Sequence, residues 1–128
     1  AGLDSDPGAI MGVLRGAGYA LQIAGYAQPG EACEAGLGEV EAAMRVFAPH
    51  ALVCASVGGA YALRLWQRGH RVPTVFINGH PRLTPAAVPK DAVVVVAHGS
   101  NDTVFVRTRG ELEDVVRSAG RNLSMLYL

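Results

Sequence analysis

The sequence predicts an α/β domain: a mostly parallel sheet of about five strands, joined by right-handed crossovers and covered by helices on both faces as a three-layer sandwich. Three observations carry this. Five apolar, β-prone runs (residues 19–26, 51–55, 73–77, 92–97 and 123–128) alternate with stretches of helical period. The run Val93-Val94-Val95-Val96 is continuous, β-branched and uncharged, as a strand covered on both faces requires. Glycines close the helical stretches at Gly16 or Gly18, at Gly69 and at Gly120.

In chain order, the first helix opens at Asp6-Pro7, the aspartate as cap and the proline at the first helical position. The strand of residues 19–26 follows. The second helix covers about residues 31–47, with Leu37, Val40, Met44 and Phe47 as its apolar stripe. Residues 51–55 form the next strand, and the third helix runs over 57–68 to stop at Gly69. After the 73–77 strand a short Pro-rich loop leads to the 92–97 strand. The fourth helix is expected over about residues 103–119, with Leu112, Val115, Val116 and Ala119 turned inward. Residues 123–128 close the sheet.

At 128 residues the chain fits one domain spanning residues 1–128. Half of it is hydrophobic and 17% is charged, which places it among globular chains. Eleven basic residues balance eleven acidic ones, with no basic stripe for nucleic acid and no polybasic patch for an anionic membrane. The longest uncharged run, residues 46–63, contains Pro49, His50, Ser56 and a Gly-Gly pair and divides into a strand and a helix. It is therefore not read as a membrane span. Cys33 and Cys54 show no Cys/His spacing for zinc, and neither a metal nor a cofactor is expected. The chain starts at Ala1 and not at Met, so something upstream was removed, processed or left out; the compartment is open, and a soluble, cytoplasmic or organellar protein after N-terminal processing is the expectation.

The most informative stretch is Ala51-Leu52-Val53-Cys54-Ala55-Ser56-Val57-Gly58-Gly59. A buried strand there turns sharply into a helix at a serine, the sequence form of a nucleophile elbow. Small residues are required on both sides because that turn is crowded and partly at positive φ, and Gly58 and Gly59 supply them on the far side. Ligands in parallel α/β sheets bind at the carboxyl ends of the strands. Ser56, residues 78–80 and residues 99–102 all belong to those ends.

Read together, the elbow, the loop His98-Gly99-Ser100-Asn101-Asp102, the opening Gly2-Leu3 and the passage Gly16-Ala17-Gly18-Tyr19 to Gln28-Pro29-Gly30 resemble the α/β-hydrolase superfamily of serine esterases, lipases and thioesterases. The resemblance runs along essentially the whole chain. It implies Ser56 as nucleophile and Asp102 as the triad acid. The backbone N–H groups of Val57 and Leu3 would be the oxyanion donors, a contribution of a few kcal/mol to the transition state. The substrate would be a small acyl ester or thioester.

Three departures accompany it. Cys54 stands where the elbow's first glycine is usual. Only a short loop occupies the place where many members insert a helical lid, so the core is expected to be lidless. No histidine follows Asp102, although the family's base comes after the next strand. The resemblance thus implies a domain truncated at both ends, lacking a central strand before Ala1 and the triad histidine. The sheet would be completed by further sequence or by a protein partner. His80 is the alternative base, against a plain strand-ending role. The alternative function is a non-catalytic, hydrolase-derived structural or binding subunit of a larger assembly. Asp102 also suits a capping role, His98 serves hydrogen bonding in its loop, and His50 and His70 belong to the opposite edge facing solvent. Cys54 reads as a small hydrophobe and Tyr61 and Trp66 as packing residues. Arg107, Arg109, Glu111, Glu113 and Asp114 read as a solvated helix face.

Overall fold

The computed structural model describes residues 7–22, 33–119 and 121–127. Four strands, β1 (Leu52–Ala55), β2 (Thr74–Ile77), β3 (Val93–His98) and β4 (Arg121–Tyr127), form one parallel sheet in the order β1-β2-β3-β4. Around it stand the helices α1 (Pro7–Gly16), α2 (Glu34–Phe47), α3 (Gly58–Gln67) and α4 (Arg109–Ser118). This is an α/β fold. A strand order that follows the chain means every crossover steps in the same direction. Right-handed connections then put α3 and α4 on one face of the sheet.

That face holds the main core. Cys54, Phe76, Val96 and Met125 share one register row and meet Ala62, Leu63 and Trp66 of α3 and Leu112 and Val115 of α4. Trp66 sets its ring edge against Phe76, with centroids 5.4 Å apart. The segment between β2 and β3 carries only a 3-10 turn at Pro85–Ala87, yet it takes the place of a crossover helix by burying Leu83 and Val88 beside α4. The neighbouring register rows, Val53-Val75-Val95 and Ala55-Ile77-Ala97, point to the other face. There the side chains are only half-buried, and Val53 is exposed. Among the described residues no helix is long and apolar enough to cross a membrane.

Helix α2 leans on α3 through Leu37, Val40, Tyr61 and Leu65. Gly36 is required at that crossing because any Cβ would collide with the Tyr61 ring. On the solvent side Glu34 pairs with Arg64 and Arg68, Glu41 pairs with Arg68, and His70 Nε2 lies 2.8 Å from Glu41. His70 is therefore a hydrogen-bond partner of Glu41 and not simply solvent-facing. Helix α3 ends as expected, with Gly69 at φ +91° and the His70 N–H donating to the Leu65 carbonyl.

Several boundaries differ from the sequence reading, β4 among them, which begins at Arg121 and not at residue 123. Residues 19–22 of the first apolar run are not a strand, and 23–26 lie outside the described residues, so four strands replace the expected five among those described. The Tyr19 N–H instead donates to the Leu14 carbonyl, which folds the segment back on α1. β-Propensity needs a neighbouring strand to become a strand, and residues 19–22 pair with none of β1–β4. Helix α2 begins at Glu34, capped by Cys33, while residues 31 and 32 are outside the described set. Helix α4 begins six residues later than 103, because Thr108 and Glu111 close a capping box that competes successfully with any earlier start.

Candidate functional site

The carboxyl ends of β1, β2 and β3 gather the candidate residues along one edge of the sheet. Ser56 follows β1 directly and holds φ +51°. Its N–H donates to the Ile77 carbonyl at 2.9 Å and its carbonyl accepts from the Gly59 N–H at 3.0 Å. The last bond of the sheet and the first turn of α3 thus meet on this single residue. A left-handed backbone at a residue with a Cβ stores on the order of 1–2 kcal/mol, which the pairing on both sides must hold in place. The positive φ falls on the serine itself and not on Gly58 or Gly59. Gly59 is needed for a different reason: a Cβ there would stand 3.2 Å from the His80 Cβ and 3.4 Å from the Phe76 ring. Gly58 has room, with only the Cys54 Cβ at 3.9 Å, so cysteine in place of the first elbow glycine is sterically accommodated.

The ends of β2 and β3 are locked to each other. Asn78, also left-handed at φ +51°, donates its N–H to the Ala97 carbonyl and accepts the Gly99 N–H on Oδ1 at 3.0 Å. In return the Gly79 N–H donates to His98 Nδ1 at 3.2 Å. Asparagine tolerates the left-handed region better than other side chains, so the same residue provides both the turn and the clamp. His98 is fully buried and stacks on Tyr127, with ring planes 7° apart. Burial holds its imidazole below the ordinary range, against a weaker opposing pull from the Asp102 charge. An acceptor at Nδ1 leaves the ring proton of a neutral histidine on Nε2. The Phe105 backbone, like the Asp102 charge, works against the effect of burial on this ring.

Asp102 ends the loop after β3. Its Oδ1 accepts the N–H groups of Val104 and Phe105 at 2.8 and 3.1 Å. The carboxylate thus organises its own turn, a cap without a helix behind it. His80, after β2, packs its ring edge against Phe105 and accepts the Arg82 N–H on Nδ1. Like His98, it thereby carries its proton on Nε2, the wrong tautomer for a base acting through that nitrogen. The structure brings Ser56, His80, Asp102 and Val57 to the same edge. Among the described residues, no hydrogen bond joins Ser56 to Asp102 or to a histidine. Leu3 lies outside the described residues.

No family model, no curated protein and no solved structure matches this chain.

The sequence reading missed Arg107. Its side chain is only 9% exposed, and its guanidinium donates to the carbonyls of His80 and Leu83 at 2.9 and 2.8 Å while pairing with Glu111. Tyr127 closes the ring by donating its hydroxyl to the Arg107 carbonyl at 3.0 Å. An arginine just before a capping threonine reads as surface charge in the sequence, because the carbonyls it satisfies come from a loop more than twenty positions away. Cys54 behaves as the expected small hydrophobe: it packs on the core, and burial pushes its thiol up to about 12. Both cysteines are free. Among the described residues no cluster of His, Cys, Asp or Glu could hold a metal ion.

Proposed function

We propose that this chain is an α/β-hydrolase-type module in which Ser56 is the nucleophile for a small acyl ester or thioester. The observation that supports this best is the left-handed φ of +51° at Ser56, set between the last bond of β1 and the first turn of α3. A strained serine at a strand-to-helix turn lifts its hydroxyl above the sheet edge, where an acyl carbonyl would approach. The Val57 N–H would serve as oxyanion donor, with Leu3 as the second. Asp102 would orient the base. A sheet of five strands, three layers and a lidless hydrolase core belong to the same proposal.

The general base is the missing part. His80 and His98 both use Nδ1 as acceptor, and no histidine follows Asp102 in the sequence. The proposal assigns the base to a histidine contributed by another segment or subunit. Without it the serine keeps only the residual activity of the oxyanion donors and binding, about 10³–10⁴-fold over water. A fluorophosphonate probe tests the reading: slow, stoichiometric labelling that maps to Ser56 and disappears in Ser56→Ala is expected. A folded chain that never labels overturns it.

The engagement of Asp102 with Val104 and Phe105 favours a second reading, a hydrolase-derived subunit without catalysis. On that reading ester hydrolysis is the same in the wild type and in Ser56→Ala.

A further inference from the structure

The fully buried ring of His98 lies where the segments leaving β2 and β3 meet. Its Nδ1 accepts the Gly79 N–H at 3.2 Å, from the segment after β2. Tyr127 of β4 stacks on the ring with centroids 6.1 Å apart. The Phe105 backbone and the Asp102 charge, both from the loop after β3, favour a proton on the ring, and Arg107 ahead of α4 opposes one. Gly79 opens a turn whose two ends have other holds. Upstream, Asn78 donates its N–H to the Ala97 carbonyl and accepts the Gly99 N–H on its carboxamide oxygen. Downstream, Leu83 is fully buried, and Arg107 donates to the carbonyls of His80 and Leu83. Those acceptors are amide oxygens, which do not titrate. His98 Nδ1 is different. It accepts only while the imidazole is neutral, because an imidazolium carries N–H groups on both nitrogens.

We propose that His98 is a proton-operated latch, which holds the turn at residues 79–82 against the sheet edge while neutral and lets it go when protonated. A proton on Nδ1 sets two donors face to face at 3.2 Å, so the Gly79 peptide has to turn away. In the closed arrangement burial holds the imidazole below its ordinary value, and opening admits water to it. The open form therefore binds the proton more tightly, and falling pH favours it. Asp102 draws the protonated ring toward its own loop, while Arg107 repels it. The movement stays local, since the bonds of Asn78 and the burial of Leu83 survive protonation. The turn carries His80, whose Cβ lies so near Gly59 that a Cβ there would stand 3.2 Å away. Releasing the turn loosens the wall beside the first turn of α3, one residue stretch from Ser56. The inference does not depend on Ser56 being a nucleophile.

Amide hydrogen exchange of the 128-residue chain tests this, read as protection relative to the unfolded chain at the same pH. Between about pH 7.5 and about pH 5.5 the Gly79 amide should lose protection at least about threefold, while Gly99, Val94 and Val96 keep theirs. The midpoint should match the titration of the His98 ring, followed by NMR at its Cε1 proton. His98→Gln, whose side-chain oxygen accepts at every pH, should keep Gly79 protected throughout. His80→Gln should leave the wild-type response in place. Gly79 protection that does not respond to pH overturns the inference, and so does a midpoint that departs from the ring's own titration. A loss shared equally by Val94 and Val96 means global unfolding and overturns it too. The same holds for a response that survives His98→Gln or disappears with His80→Gln. The match between Gly79 and the ring is read in the wild type, so it decides even if His98→Gln does not fold.

Discussion

The Arg107 guanidinium donates to the His80 carbonyl at 2.9 Å, and so ties the approach to α4 to the loop leaving β2. A second bond to Leu83 and the Tyr127 hydroxyl on the Arg107 carbonyl extend this tie to β4. Ser56, Asp102 and His80 sit on loops, and these crosslinks give the edge its shape. Arg107→Ala should lower unfolding stability by about 2–4 kcal/mol, since two charge-assisted bonds go and two carbonyls lose their donor. Arg107→Lys should recover less than half of that, because an ammonium cannot present the same planar fork. Urea unfolding measures both.

Ser56→Gly separates strain from chemistry. Glycine adopts φ +51° without the Cβ penalty, so the variant should be more stable than the wild type by about 0.5–1 kcal/mol. Ser56→Ala should gain nothing of the kind. A gain with glycine and none with alanine, read by thermal unfolding, places the strain in the backbone at Ser56.

The two elbow glycines should respond in opposite senses to alanine. Gly59→Ala drives a methyl against His80 and Phe76 and should cost about 1–3 kcal/mol. Gly58→Ala meets only ordinary contact with Cys54 and should stabilise by up to about 1 kcal/mol through helix propensity. Equal effects at the two sites would contradict the packing described for the first turn of α3.

The cysteines should differ in reactivity. At Cys33 the Gly36 N–H, and after it the Tyr61 hydroxyl, hold the thiol below its ordinary value. Burial pushes Cys54 up to about 12. Iodoacetamide at pH 8 should modify Cys33 in the folded chain and reach Cys54 only on unfolding, as peptide mapping would reveal. Cys33→Ser, which keeps a cap on α2, should remove the fast phase with little change in stability.

Acid should weaken the fold through His98. Its folded pKa lies below the ordinary 6.5, mainly through burial, so the unfolded chain takes up a proton first as pH falls. Stability is then full above pH 6.5 and declines from there toward the folded pKa. His98→Gln, which retains an acceptor near the Gly79 N–H, should flatten that decline below pH 6.5. Below that range the Glu41 and Asp91 carboxylates, held low chiefly by their hydrogen bonds to His70 and Arg71, should produce a further loss that the variant keeps.

The sequence by itself determined the α/β class, the four strands from β1 to β4 and the place of the Ser56 turn. Each of these depends on local pattern: a β-branched run at Val93–Val96, a small-residue turn at 54–59, a glycine stop at Gly69. Such signals act within a few residues, so one sequence carries them. Tertiary structure decided the rest. Whether residues 19–22 became a strand depended on a neighbouring strand, and Asp102 had a choice between its own turn and a distant base. Arg107 looked like surface charge until His80 and Leu83 were placed beside it. The left-handed φ came to rest on Ser56 because β2 and α3 pull on it from opposite sides. These outcomes rest on partners brought together from many residues apart, and a hydrogen bond to a distant carbonyl leaves no periodic trace in the chain.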